Sequence, residues 1–250
     1  MKLYLLVIHL LIQTTAAWIP PSSRSDRTTR LAAGATTSSD DDDDDALSTF
    51  GTKEYWDEVY QGFGDFPADE YSWYFGFGGY GKYVKEYLPP AKTTTKQNGS
   101  MDLLLPGIGN DPAVLDLLEA GYKQLTATDY SKHAIERQEE LLSYQTIGDD
   151  VTVELLTMDA RDMPTEWSNR FDGVIEKGAL DAIYLSGGDN LRLTVKELER
   201  VLKPGGLLIS VSGVVPEELR REVFSEWTWL RDGSDELKAG CFVLRHPEEK

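Results

Sequence analysis

From residue 101 onward, short runs of apolar residues alternate with stretches whose apolar positions recur at three- and four-residue spacing. The runs predict strands at Met101 to Pro106, Gln124 to Asp129, Val151 to Thr157, Phe171 to Glu176 and Leu207 to Gly213. Between them the periodicity predicts a helix over Asp111 to Ala120, carrying Val114, Leu115 and Leu118 and stopped by Gly121. A second helix opens at Ser131 as N-cap, and a third covers Leu191 to Leu202, ended by Pro204-Gly205-Gly206. Strands alternating with helices imply crossover connections, hence an α/β fold with a mainly parallel sheet and helices on both faces. The tail departs from this rhythm. A helix from Pro216 to Phe224 precedes two strand-like runs, Thr228 to Arg231 and Cys241 to Arg245, around the turn-rich Asp232 to Gly240, which predicts a terminal antiparallel hairpin.

Upstream of the sheet, Lys53 to Tyr87 is dense in aromatics and glycines, and Pro89 to Ser100 reads as a loop. There is no internal repeat. At 250 residues, with 40% apolar and 27% charged positions, the chain suits one globular domain, placed at residues 46–250. Residues 1–17 resemble a signal peptide: Met1-Lys2, an apolar run from Leu3 to Ile12, then the small residues Thr15, Ala16 and Ala17. The run is too short to span a bilayer, so no membrane segment is expected in the mature form.

Residues 18–45 read as a transit peptide and acidic linker. Up to Ser39 they are rich in Ser, Thr, Arg and Ala with Asp26 as the one acid, and Trp18 directly follows the expected cleavage point. The combination resembles the bipartite plastid-targeting presequence of algae with complex plastids, and plastid delivery is the expectation; secretory or cytoplasmic placement is the alternative. A plain secretory route favours paired cysteines, and Cys241 is alone. Asn98-Gly99-Ser100 is a glycosylation sequon that matters only on that route. Asp40 to Asp45 repel one another and form a solvated linker; they lack the alternating ligands, glycine turn and bidentate Glu of a calcium loop.

Charge narrows the partners. The net charge is −18, and without residues 1–45 there remain 21 basic against 36 acidic residues. Such a surface repels phosphate backbones, so a nucleic-acid substrate is disfavoured and a protein with a basic surface is expected. A lone Cys241 supports neither a disulfide framework nor a Cys-based metal site, and no metal is assigned.

The candidate chemistry sits at strand ends. Leu103-Leu104-Leu105-Pro106-Gly107-Ile108-Gly109-Asn110 is a buried strand running into a glycine turn before a helix, where open sheets bind ligands and a side chain would block the approach. A tight strand-to-helix turn is the plainer explanation of this motif alone. Asp129 ends the second strand, where a carboxylate can accept two hydrogen bonds from a ribose diol. A dinucleotide fingerprint needs a third glycine at position 112, and Pro112 stands there, so a ligand with ribose and adenine but no pyrophosphate fits better. Asp159, in Met158-Asp159-Ala160-Arg161 after the third strand, suits the adenine amino group. Glu176-Lys177-Gly178-Ala179-Leu180-Asp181 follows the fourth strand over the same crevice.

In order along the chain stand Tyr55-Trp56-Asp57 with Tyr60, Tyr71-Ser72-Trp73, Gly107 to Asn110, Asp129-Tyr130-Ser131, Met158-Asp159-Ala160, Phe171 to Gly178 with Leu180-Asp181-Ala182, and Leu202-Lys203-Pro204-Gly205-Gly206. From about Phe50 to Gly213 this ordered set resembles the methyltransferases related to the protein-lysine methyltransferases of translation elongation factor 1-alpha, including the methyltransferase-like 13 group. The resemblance implies a class I, Rossmann-like seven-stranded fold that binds S-adenosylmethionine (AdoMet). It implies that Trp56, Tyr60 and Trp73 close over the cofactor, that Gly107 and Gly109 line its methionine end, that Asp129 and Tyr130 hold the ribose side, and that Asp159 and Ala160 hold the adenine. It implies that Lys177, after strand four, belongs to the same cofactor-binding set. Aromatic faces attract a sulfonium cation and exclude water. The chain departs from the family in Pro106 and Ile108, the latter where relatives commonly carry Cys, and in Asp111-Pro112 at the helix start.

Methyl transfer from a sulfonium is an in-line displacement governed by alignment. A lysine acceptor must first lose a proton, and Glu176 and Asp181 are the nearest candidate bases by sequence. Three readings stand: a methyltransferase acting on a protein lysine or N-terminal amine, a small-molecule methyltransferase, and an AdoMet-binding scaffold without turnover. The elongation factor that such relatives modify is cytosolic, whereas the presequence points to an organelle, so the acceptor does not carry over with the fold.

Overall fold

The computed structural model describes residues 49–63, 73–90, 100–233 and 239–248. The presequence and linker of residues 1–45, the sequon at Asn98, and Tyr71-Ser72 of the aromatic motif lie outside the described residues.

Seven strands form one sheet: β1 (Asp102–Pro106), β2 (Gln124–Asp129), β3 (Thr152–Thr157), β4 (Phe171–Lys177), β5 (Leu202–Ser212), β6 (Thr228–Asp232) and β7 (Gly240–Arg245), in the spatial order β3-β2-β1-β4-β5-β7-β6. The first five are mutually parallel, and β7 lies antiparallel between β5 and β6. This is the Rossmann-like sheet with its antiparallel C-terminal hairpin. From β1 the chain builds outward to β2 and β3, then returns to place β4 on the other flank. The crevice opens beyond the strand ends at that reversal, between β1 and β4.

Both faces of the inner strands β1, β2, β4 and β5 are covered, which is why they read as largely apolar runs. On β1, Leu103 and Leu105 pack on one face and Leu104 on the other. The first face is covered by α2 (Phe77–Tyr87), α3 (Ala113–Glu119) and α4 (Lys132–Ser143), through residues such as Tyr80, Val84, Leu117 and Ile135. The second is covered by α5 (Ala179–Leu185), α6 (Asn190–Val201) and α7 (Glu217–Val223), through Leu180, Leu191, Leu198 and Phe224. A further helix, α1 (Lys53–Tyr60), starts at Thr52, whose hydroxyl accepts the Tyr55 N–H at 3.4 Å.

Three elements differ from the sequence reading. β5 begins at Leu202, through Lys203-Pro204-Gly205-Gly206, because Leu202 pairs with Phe171 before a register shift puts Leu207 opposite Gly173. The helix expected from Asp111 begins at Ala113, since Asp111 Oδ1 accepts the Ala113 N–H at 3.0 Å and Pro112 takes the N-cap position. The run from Glu176 to Asp181 does not all follow the fourth strand: Glu176 and Lys177 end β4 and only Gly178 separates them from α5.

Leu208 has no exposure in the middle of β5. Leu208→Ala is expected to lower unfolding free energy by about 2–5 kcal/mol, measured by urea denaturation, with the slope against denaturant unchanged.

Candidate active site

The turn after β1 holds two glycines with positive φ, Gly107 at 62° and Gly109 at 57°. Space forbids a side chain at either: a Cβ on Gly107 would stand 2.6 Å from the Ala179 Cβ, and one on Gly109 2.7 Å from the Tyr60 hydroxyl oxygen. The turn is held from behind. Asp129 Oδ2 accepts the Gly109 N–H at 2.9 Å, Ile108 N–H donates to the Thr128 carbonyl at 3.0 Å, and Gln138 Nε2 donates to the carbonyls of Gly109 and Asp111 at 2.9 Å each. Gln138 was not singled out by sequence. Its signal is a polar residue on the buried stripe of α4, beside Ala134 and Ile135.

At the end of β2, the other oxygen of Asp129 accepts the Ser131 N–H at 2.9 Å. Burial pushes the Asp129 carboxyl up to about 6, with the Ser131 and Gly109 N–H groups opposing the shift. Tyr130 beside it is raised by burial and by Asp129, and its hydroxyl donates to the Thr52 carbonyl at 3.2 Å, tying the segment before α1 to β2. After β3, Asp159 is gripped by Arg161, whose Nη2 lies 2.6 Å from Oδ2; the guanidinium holds the carboxyl below its usual range. Arg161 Nη1 reaches Asn190 Oδ1 at 2.8 Å, which braces this end of the crevice against α6.

An aromatic cluster roofs the crevice. Trp56 donates its indole N–H to the Phe50 carbonyl at 2.8 Å, stacks on Tyr60 with centroids 5.7 Å apart, and meets Trp73 edge-on at 5.3 Å. Ser131 Oγ donates to Asp57 of α1, a second tie between roof and β2. Lys177 Nζ stands 3.0 Å from Asp111 Oδ2 and donates to the Trp73 carbonyl at 2.6 Å.

These groups converge on one cleft of about 890 Å³, counted out to its open mouth. Trp56, Tyr60, Trp73, Gly107, Gly109, Asp129, Tyr130, Asp159, Ala160 and Lys177 all line it. So do Gly51, Ile183 and Ser186, which belonged to no sequence motif, and Met158 and Arg161, which flank Asp159-Ala160. The donor set suits an adenosyl sulfonium: a side-chain-free glycine turn, carboxylates at two strand ends, and aromatic faces opposite them.

Glu176 and Asp181 are placed elsewhere than a catalytic base requires. Neither lines the cleft, and they are 1% and 0% exposed. Glu176 accepts the Ser210 hydroxyl and the Leu180 N–H, and burial pushes it up to about 7. Asp181 accepts the hydroxyls of Tyr74 and Ser212 and the N–H groups of Gly213, Val214 and Val215 at 2.5–3.0 Å. Glu176, near the end of β4, and Asp181, in α5, both point to β5 and away from the crevice.

Residues 104–210 match the family model described as "Methyltransferase domain". With the sheet order and the cleft, this defines the class: residues 104–210 are a methyltransferase domain, set in a seven-stranded, Rossmann-like sheet of the class I AdoMet-dependent type. Within the class it is similar to EEF1A lysine methyltransferase 4 of Bos taurus, 27% identical over 173 residues, covering 65% of this chain and 61% of the relative. It is also similar to EEF1A lysine methyltransferase 2 of Danio rerio, 29% identical over 186 residues, covering 72% and 76%. The chain thus spans about three fifths of the bovine relative's length. Among solved structures, the N-methyltransferase NodS from Bradyrhizobium japonicum, in complex with S-adenosyl-L-homocysteine (AdoHcy), shares the fold with a TM-score of 0.55 at 18% identity, covering 76% of this chain and all of that one.

Gly109→Ala would force a left-handed alanine against Tyr60, and is expected to cost about 1–2 kcal/mol of stability from conformation alone, measured by urea unfolding. Its AdoHcy affinity, read by calorimetry, is expected to fall as well. The raised carboxyls set a pH dependence. Glu176 lies at about 7 folded against 4.5 ordinarily, so the folded chain binds the extra proton between those values and loses stability as pH rises across that window. Acidification from pH 7.5 to 5 should therefore stabilise the protein, and Glu176→Gln should remove roughly 2 kcal/mol of that gain and flatten the slope. An unchanged slope in the variant would sink the assignment.

Proposed function

We propose that the chain transfers a methyl group from AdoMet to a protein amine, a lysine side chain or an N-terminus. The observation that carries this reading is that the connections after β4 and β5 are too short to add a lid of their own over an acceptor. Gly178 alone joins β4 to α5, and only residues 213–216 join β5 to α7. A small acceptor needs an enclosure, whereas an amine presented by a macromolecule brings its own bulk to exclude water. Two facts support it: the likeness to the EEF1A lysine methyltransferases extends well outside residues 104–210, and the net charge of −18 favours a basic partner.

When bound, AdoMet supplies an electrophilic methyl on a sulfonium. In this reading Gly107 and Gly109 hold its methionine end, Asp129 and Tyr130 the ribose, and Asp159 and Ala160 the adenine, with Trp56, Tyr60 and Trp73 facing the cation. The carboxylates on the cleft wall are already engaged: Asp111 by Lys177, Asp129 by two backbone N–H groups, Asp159 by Arg161. No side chain of the cleft is therefore assigned as base, and the acceptor amine sheds its proton to solvent before transfer. Residues 1–45 belong to the same proposal as a plastid-targeting presequence; fusion of this segment to a fluorescent protein tests it, and cytosolic fluorescence would remove it.

Incubation of the purified chain with radiolabelled AdoMet and fractions of source-cell lysate tests the acceptor class. Label on a protein band is expected; label confined to the small-molecule pool would favour a small-molecule enzyme, and AdoHcy binding without label a scaffold. Glu176→Gln should retain activity within about tenfold, because removing a true general base costs roughly 10²–10⁴-fold. A larger loss in a folded variant would return Glu176 to the chemistry.

A further inference from the structure

Lys177 ends β4 where three separately built segments meet. Its ammonium pairs with Asp111, on the way from the glycine turn to α3, and donates to the main-chain carbonyl of Trp73 in the roof. The Lys177 and Asp111 side chains are each 8% exposed. Asp111 has little freedom to follow the ammonium, because its other oxygen accepts the Ala113 N–H and its own carbonyl accepts Gln138.

The Trp73 end is just as constrained. The indole lies across Gly178, at φ 79°, where a Cβ would meet the ring Cδ1 at 2.3 Å. Tyr74 follows with φ 66°, a conformation an aromatic residue keeps only when its surroundings impose it. Its hydroxyl donates to Asp181 at 2.6 Å and accepts the Gly213 N–H at 3.0 Å. Residues 73 and 74 are thus pinned twice, to the end of β4 and to the end of β5. A buried ion pair is a weak source of net stability, since desolvation offsets the attraction; what it supplies well is a defined register between the parts it joins.

We propose that Lys177 is a positioning residue: its ammonium couples the glycine turn, through Asp111, to the Trp73 segment, so that cofactor loop and aromatic roof form one unit. It serves the cofactor only through these partners. The inference rests on reading the cleft as the AdoMet site, and is independent of the acceptor.

The test compares Lys177→Met with the double variant Lys177→Met, Asp111→Asn, in which no uncompensated carboxylate is left buried. Two readouts are used: near-ultraviolet circular dichroism of the ligand-free protein, reporting the Trp56–Tyr60–Trp73 cluster, and AdoHcy affinity by calorimetry. The double variant is expected to fold, to lose aromatic ellipticity before any ligand is added, and to bind AdoHcy roughly tenfold more weakly. Wild-type ellipticity and affinity in the double variant would overturn the proposal and leave the pair a stability element. Weaker binding with wild-type ellipticity would also overturn it, because Lys177 would then act on the cofactor directly. If Lys177→Met alone fails to fold, the double variant decides. Should the wild-type chain bind no AdoHcy, the reading of the cleft fails, while the ligand-free ellipticity still tests the coupling.

Discussion

A buried carboxylate with a backbone N–H on each oxygen lies behind the whole site: Asp129 accepts Gly109 from the turn after β1 and Ser131 from the start of α4. The sheet brings these parts near one another, but parallel strands leave their terminal N–H groups unpaired, and a glycine turn has no side chains with which to hold itself. Asp129 satisfies both needs. The burial that makes these bonds strong also raises the carboxyl to about 6, so the hydrogen bonds and the desolvation act against each other on the same group. Gln138 completes the fastening from α4, holding the carbonyls of the turn as Asp129 holds its N–H.

With the turn fastened, the roof can rest on it. Tyr60 occupies the space that a side chain on Gly109 would need, and Trp73 occupies that of Gly178. Gly51 plays the same part at the α5 end, where a Cβ would stand 2.3 Å from the Leu185 carbonyl oxygen. The aromatic cluster thus closes over missing side chains. Three of its polar ties, Trp56 to Phe50, Tyr130 to Thr52 and Lys177 to Trp73, end on main-chain carbonyls and so fix backbone more than side chain. This is the arrangement expected of a water-excluding wall, in which geometry matters more than any one contact.

The charges behind the cleft follow a different logic. Glu176, Asp181 and Arg220 are all buried, and Arg220 donates to Ser212 and the Val215 carbonyl while its guanidinium stacks 3.9 Å from the centre of the Phe242 ring. Asp181 gathers three consecutive N–H groups of the turn after β5. Such groups order the strand ends around the cleft without facing it. A carboxylate directly after a strand is thus no evidence of catalysis, because the same location serves to satisfy orphan backbone donors.

Much of this architecture was legible along the chain. Uninterrupted apolar runs such as Leu103-Leu104-Leu105 declare strands buried on both faces, and period alone separates them from the helices between, so the strands, their order of occurrence and the hairpin could be read directly. The glycine turn was legible as well, because positive φ and close approach both demand glycine at 107 and 109. What tertiary structure alone decided was which way side chains point and which distant segments meet. Gln138, Asp111 and Arg161 gained their places through contacts to residues far away in sequence, and Glu176 from β4 and Asp181 from α5 both turned toward Ser210 and Ser212 of β5. Local pattern encodes burial and backbone conformation, which are properties of neighbours in sequence. The facing of a carboxylate is set by packing across the sheet, and that exists only once the chain has folded.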